Sequence, residues 1–273
     1  MIEQFHQPRT VRQALDLKRK FKGQSAFFAG GTFINSNDCL LPPKHCISLA
    51  GLHLDGIAQK NKELVIGALC TLQQLLDEKK VPAPLKAAAA QFVNRNLRNM
   101  ATIGGHIAYN QPHSDLIPML AALEARVVLA GGTTPKSVPI MDYVKTAGPE
   151  LITQIVIPKL AAKRAAVCMN LRPSANSRSV VSVAVSMTVD QNAVRDPIIA
   201  VAGVAKRVVR LTAVERAIDG KAMLTTDDLQ ELVSSTVKPS SDVLASAALR
   251  AHQAGAAVAL ACEQARSQIG DAP

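Results

Sequence analysis

A chain of 273 residues with 48% hydrophobic content can bury a core of its own, which excludes a disordered tail and a disulfide-stapled miniprotein. Its 31 basic residues outnumber 21 acidic ones for a net charge of +10, yet the excess is diffuse and no basic arm stands out. With two Tyr, six Phe and no Trp the stacking platforms of single-strand readers are missing, so nucleic acid is not an expected partner, and the charge serves solvation, an acidic partner or a phosphate ligand.

The N-terminus, Met1-Ile2-Glu3-Gln4-Phe5, has neither a secretory nor a transit pattern, and the longest apolar stretch, near Leu116–Leu123, is interrupted by Pro118 and closed by Glu124. A cytoplasmic location without a membrane span is expected. The five Cys, at 39, 46, 70, 168 and 262, form no CxxC pair, and the six His are scattered, so no metal centre is expected within the chain.

The first thirty residues read as strand, helix, strand. Met1–Phe5 is extended, Thr10 with Gln13 predicts a capping box, Gly23 stops the helix, and Ser25–Ala29 is a short buried strand. A helix between two strands implies a parallel pair. A second unit follows, with a strand at Glu63–Ala68, a helix capped by Thr71 and Gln74, and another helix over 85–96 whose apolar stripe includes Phe92 and Val93. Periodicity then fails through Leu97–Ala108. A helix is expected over Leu116–Ala125, a hairpin over Arg126–Ile140 and a strand over Leu151–Ile157, which Pro158 ends. Lys159–Ala166 reads as a linker, which places a boundary near residue 160. Beyond it, strands near Val167–Leu171, Val180–Val189, Ile198–Val204 and Val208–Leu211 precede helices near Thr212–Ile218, Thr226–Ser234 and Asp242–Ser267, an α+β arrangement. The last helix carries Ala247, Ala248, Ala251, Ala254 and Val258 on close faces, suited to packing in its own domain or against a partner.

Two glycine pairs lie where the chain leaves a regular element: Ala29-Gly30-Gly31-Thr32 and Thr102-Ile103-Gly104-Gly105-His106. Without a Cβ, backbone N–H groups can approach an anion, and two such loops could clasp a pyrophosphate. Each pair taken alone is weak evidence and reads first as a turn, as Ala130-Gly131-Gly132-Thr133 illustrates by repeating the first tetrapeptide inside the expected hairpin.

The spacing of these loops, with Pro112-His113-Ser114-Asp115-Leu116 following the second, resembles the FAD-binding medium subunit of the molybdenum hydroxylase family, which includes xanthine dehydrogenase and carbon monoxide dehydrogenase. The likeness covers almost the whole chain. It implies an α+β fold: two α/β lobes, about 1–55 and 56–160, form a PCMH-type FAD-binding domain, and a smaller C-terminal domain, 161–273, has a three-stranded antiparallel sheet and a helical bundle. By the same resemblance Phe27, Phe28, Ala29, Gly30, Gly31, Thr32, Phe33 and Ile34 form the first FAD loop and Thr102, Ile103, Gly104, Gly105 and His106 the second. Asp115 matches an acidic FAD contact, and Leu151 with Ile152 matches the apolar pair against the isoalloxazine, where ordinary strand core is the competing reading.

The resemblance further implies that electrons pass from a molybdenum-binding large subunit through an iron–sulfur subunit to FAD, then to NAD or another acceptor. The assembly would be a heterotrimer or its dimer, with molybdopterin and clusters held only by the partners. No side chain of this chain need act as acid, base or nucleophile. Two departures stand out: His106 replaces the family's common Asn, and Asn170 or Leu171 stands where many relatives place a basic residue. They keep two rivals in view, a stand-alone FAD oxidoreductase and a scaffold subunit that has lost FAD.

Overall fold

The computed structural model describes residues 2–92, 94–174 and 177–270. Met1 and Val93, named above in a strand and a stripe, fall outside them. The first lobe holds β1 (Gln4–His6), α1 (Val11–Phe21), β2 (Ser25–Phe28) and β3 (His45–Ser48). Both β1 and β2 run parallel to β3, which lies between them. The expected parallel relation holds, but the two strands do not pair with each other, because β3, which the sequence reading did not pick out, lies between them. Thr10 Oγ1 accepts the Gln13 N–H at 3.2 Å, while the Gln13 side chain takes the N–H of Arg9 rather than that of the cap, so the box is incomplete. The helix ends at Phe21, and Lys22, with φ +45°, makes the left-handed step expected of Gly23.

The second lobe runs β4 (Ile57–Lys60), β5 (Glu63–Gly67), α2 (Leu72–Asp77), α3 (Ala83–Ala90), α4 (Arg95–Met100), α5 (Ile103–Tyr109), α6 (Ile117–Ala122), β6 (Arg126–Ala130), β7 (Lys136–Pro139), α7 (Ile140–Thr146) and β8 (Leu151–Ile157). Its sheet is antiparallel throughout, ordered β4-β5-β8-β6-β7. Thr71 and Gln74 form the complete capping box expected of them. The segment without periodicity is not a loop. It holds α4 and α5, each under two turns long and each capped by a side chain, Asn94 and Thr102. Stretches this short cannot show a hydrophobic period.

The C-terminal part contains β9 (Arg164–Leu171), β10 (Val181–Asp190), β11 (Ala193–Ala202), the two-residue β12 (Val209–Arg210), α8 (Thr212–Ile218), α9 (Thr226–Thr236) and α10 (Ala247–Gly270). The antiparallel sheet is ordered β12-β11-β10-β9, so the four strands read from the sequence are present, the last reduced to two residues, where the resemblance implied three. Because β9 begins at Arg164, the last residues of the expected linker are already strand. Successive side chains point to opposite faces. Val167, Val183, Val185 and Val201 pack beneath α10 with its Ala254, Ala257, Val258 and Ala261, so the small-residue face of that helix is covered within its own domain. The other face shows Ala166, Ala184, Ala200 and Ala202 to the second lobe and joins its core around Met119 and Ala122 of α6. Alanines let that sheet lie close on α6, so the two parts share one continuous core.

Candidate functional site

The end of β2 delivers the first glycine pair. Asn35 donates its N–H to Gly31 O at 3.0 Å, closing a single turn over Thr32–Ile34, and Gly31 sits at φ +70° where a side chain would be strained. A Cβ there would also meet Phe28 Cζ at 2.4 Å, so the Phe28 ring covers the turn from below. The backbone N–H groups of Gly31, Thr32, Phe33 and Ile34 have no partner among the described residues. A half-exposed turn offering successive unpaired N–H groups is a concave anion site. Gly30 is needed for a different reason: a Cβ would lie 1.7 Å from Met100 O, so residue 30 is where the first loop crosses the end of α4.

The second loop enters α5. Buried Thr102 caps it, its hydroxyl oxygen accepting the Gly105 N–H at 3.1 Å. Ile103 N–H donates to Cys70 O and Gly104 N–H to Ala68 O, both at 2.9 Å, beside a bridge between Thr71 and Thr102. These three N–H groups are satisfied inside the chain, whereas those of Gly31–Ile34 have no partner among the described residues. Gly104 is required because a Cβ would sit 2.6 Å from Ala68 Cβ, while one on Gly105 would come 3.9 Å from Ala29 Cβ. The two glycine pairs, some seventy residues apart in sequence, are therefore brought side by side.

His106 follows on α5. Its Nε2 lies 2.7 Å from Ser114 Oγ, and its ring stands edge-on to Phe92 with centroids 5.6 Å apart. Burial pushes the imidazole down to about 4, against a weaker upward pull from Asp115, so it is neutral near pH 7. Ser114 Oγ also accepts the Ile117 N–H at the start of α6. Next to it, Asp115 is fully engaged by the C-terminal part. Its Oδ1 accepts Asn170 Nδ2 at 2.9 Å, Ser179 Oγ at 2.5 Å and Ser182 Oγ at 2.9 Å, and Oδ2 lies 3.5 Å from Arg172 Nη2. The expected acidic contact thus has four partners of its own in the chain, and it ties the two parts together.

Leu151 and Ile152 are both buried at the start of β8. Leu151 belongs with Ile47, Leu49, Phe27 and Ala29 beneath the first loop, and Ile152 belongs to the second-lobe core. Sequence reasoning missed Tyr109, whose ring packs on Phe33 with centroids 4.1 Å apart. Burial raises the Tyr109 phenol above its ordinary value, with Asp38 adding to the rise. These two rings, with Gln111 and the Asp38–Arg178 ion pair, line a cleft of about 360 Å³ beside the free N–H groups. The available signal was helical spacing, since Tyr109 stands three residues after His106. Among the described residues no group of three or more His, Cys, Asp or Glu could hold a metal ion, and no helix is long and apolar enough to cross a membrane.

Two lobes meeting at paired glycine loops, backed by an antiparallel sheet with helices, define the class of a two-part cofactor-binding flavoprotein. Residues 1–160 match the family model of the FAD binding domain in molybdopterin dehydrogenase, and residues 168–265 match that of the CO dehydrogenase flavoprotein C-terminal domain. The chain belongs to this family, and it is an oxidoreductase flavoprotein subunit. It is 36% identical over 260 residues to the uncharacterized protein YgfM of Escherichia coli (strain K12), covering 95% of each chain. It is 30% identical to the glyceraldehyde dehydrogenase medium chain of Sulfolobus acidocaldarius over 74% of this chain and 76% of that one. A solved carbon monoxide dehydrogenase from Hydrogenophaga pseudoflava, lacking the Mo-pyranopterin moiety of its cofactor, superposes with a TM-score of 0.92 at 26% identity over 98% of each chain.

Proposed function

We propose that this chain is the electron-relaying FAD subunit of a heteromeric molybdenum hydroxylase-type complex, taking electrons from an iron–sulfur subunit and passing them to NAD or another acceptor. Relatives described as medium chains point the same way, since a medium chain is one of several. The partners would be an iron–sulfur subunit and a molybdenum-binding large subunit, in a heterotrimer or its dimer. The observation that carries the reading is the turn Gly31–Ile34, whose four N–H groups have no partner among the described residues, directly after the point where Ala29 and Gly30 meet Gly105 and Met100.

The residues present fit FAD. Gly31, Thr32, Phe33 and Ile34 would hold the pyrophosphate through backbone N–H groups and the Thr32 hydroxyl, and Phe27, Phe28, Ala29 and Gly30 shape the floor of that turn. Thr102, Ile103, Gly104, Gly105 and His106 form the facing wall, with Leu151 and Ile152 as its apolar backing. Asp115 fixes the C-terminal domain, 161–273, against the FAD-binding domain, 1–160. Bound FAD supplies the redox chemistry, taking up electrons singly or in pairs. The stand-alone oxidoreductase reading needs a base, and His106, which burial holds at about 4 and which is engaged with Ser114, is a weak one.

The test is the visible spectrum of the purified chain, with released cofactor identified by chromatography, on wild type and on Thr32→Glu. The variant places a carboxylate at the free N–H groups on a half-exposed side chain, so apo stability should hold. Near-stoichiometric FAD in wild type and at least about tenfold weaker retention in the variant are expected. A folded wild type that takes up no FAD on reconstitution would overturn the reading. Retention of iron–sulfur and molybdenum proteins on the tagged chain expressed in its own cell supports the relay; a flavin-loaded chain that retains neither refutes it.

A further inference from the structure

The Gly31–Ile34 turn runs on into a segment held mainly by its own local bonds. Ser36 N–H donates to Phe33 O at 2.9 Å, Cys39 N–H to Ser36 O at 3.1 Å and Asp38 N–H to Ser36 Oγ at 3.3 Å, so residues 33–39 form a chain of turns. Leu40 and Leu41, which follow, are 85% and 92% exposed. Among the described residues, the one hydrogen bond from residues 33–41 to anything beyond this segment and the glycine turn is that of the Asp38 carboxylate, which accepts from the Arg178 guanidinium. Tyr109 adds the ring contact on Phe33. Arg178 belongs to the C-terminal part, three residues before β10, so the ion pair joins positions 140 residues apart in sequence.

Both partners line the cleft that also holds Phe33, Tyr109 and Gln111, and among the described residues they are its only charged lining. With side chains 42% and 48% exposed, Asp38 and Arg178 stand at the mouth of the cleft rather than on its floor. An ion pair this exposed contributes little to stability and breaks readily. We propose that the Asp38–Arg178 pair is a latch across that mouth, opening to let FAD reach the free N–H groups of Gly31–Ile34 and closing behind it. This rests on the FAD-binding reading above. Opening swings residues 33–41 away from the C-terminal part without touching their internal turns or the cluster on Asp115. Because the pair re-forms over the filled cleft as over the empty one, the latch slows FAD entry and release by the same factor and leaves the affinity unchanged.

The experiment follows FAD association and dissociation by stopped-flow flavin fluorescence for wild type, Asp38→Asn, Arg178→Gln and the charge-swapped double variant D38R/R178D, at low and high salt. Both side chains are half exposed, so apo melting temperatures, recorded alongside, should match wild type. Each single variant is expected to raise the on-rate and the off-rate together by about threefold, with Kd changed by less than about twofold, and the swap to return both rates toward wild type. Added salt should speed FAD release from wild type more than from D38N, because only wild type has a pair to screen. An off-rate in D38N equal to that of wild type overturns the inference, including the case where the on-rate alone rises, which would make Asp38 a charge that repels the entering phosphates. Faster release in R178Q but not in D38N, or release from the swapped variant as fast as from the single ones, overturns it as well, since Arg178 would then act without Asp38. A wild type that takes up no FAD instead defeats the functional reading on which the latch rests.

Discussion

Gly30 and Met100 cross so closely that a Cβ on residue 30 would stand 1.7 Å from the Met100 carbonyl oxygen. The obstacle is backbone, fixed by the Asn94 cap on α4 and by the Ala101 N–H donating to Leu97 O, so it cannot move aside cheaply. Gly30→Ala is expected to destabilise the apo-protein by at least about 2 kcal/mol. Gly132→Ala, in the repeated tetrapeptide, meets nothing closer than 3.8 Å and should shift stability by less than about 0.5 kcal/mol. Urea unfolding without flavin distinguishes the two; equal effects would show that loop crossing is not what demands glycine at 30.

Removal of the Asp115 carboxylate leaves Asn170, Ser179 and Ser182 without their shared acceptor and Arg172 without that charge, in a site where Asp115 is 8% exposed. Asp115→Ala is expected to cost about 3 kcal/mol, since breaking a buried charged cluster strands the remaining polar groups. Thermal unfolding followed by calorimetry reads the loss. A separate transition for the C-terminal part would identify the cluster as the latch between the two parts, whereas an unchanged melting temperature would refute that role.

His106 gives stability a pH dependence of definite sign. Its folded value of about 4 lies below the ordinary 6.5, so between these limits the unfolded chain binds a proton that the folded chain does not. The associated stability is fully present above 6.5 and is lost as pH falls toward 4, at up to about 1.4 kcal/mol per pH unit. His6 and His113 are also depressed by burial and add to the raw slope, so the comparison needed is between wild type and His106→Asn. The variant is expected to have the shallower acid limb, measured by urea midpoints from pH 7 to pH 4.5. Parallel curves would show that His106 titrates normally in the fold.

The elements that could be read from sequence are those with a period or a cap. Strand β8 falls at Leu151–Ile157 as expected, and so does α8 at Thr212–Ile218. The Ala stripe of α10 was legible as small residues, but only tertiary structure shows that β9 and β10 cover it. The glycine pairs were legible, while the division of labour within them was not. Whether a glycine serves a φ angle, a chain crossing or a ligand depends on atoms remote in sequence, such as Met100 O for Gly30 and Ala68 for Gly104. The cluster on Asp115 was invisible for the same reason, because its donors come from Asn170 on β9, Ser182 on β10 and Ser179 just before β10, all in the other part.

Arg250 extends that cluster into the helical bundle. It is only 5% exposed on α10, yet its guanidinium donates to Val180 O at 2.7 Å and Gly203 O at 3.1 Å and clasps Asp242 through Nη2. Val180 lies between Ser179 and Ser182, which hold Asp115, and the Gly203 N–H donates to Pro112 O at 2.6 Å, across to the FAD-binding domain. One side chain therefore fixes two strand ends that both touch the 112–115 segment. Arg250→Met keeps the apolar stem and removes every donor, leaving Val180 O and Gly203 O unpaired by the helix, and is expected to cost about 3 kcal/mol. Asp242→Asn loses only the exposed side of the clasp and should cost less than about 1 kcal/mol. If both variants unfold at the same urea concentration, the Asp242 ion pair, and not the hold on the strand ends, is what Arg250 contributes.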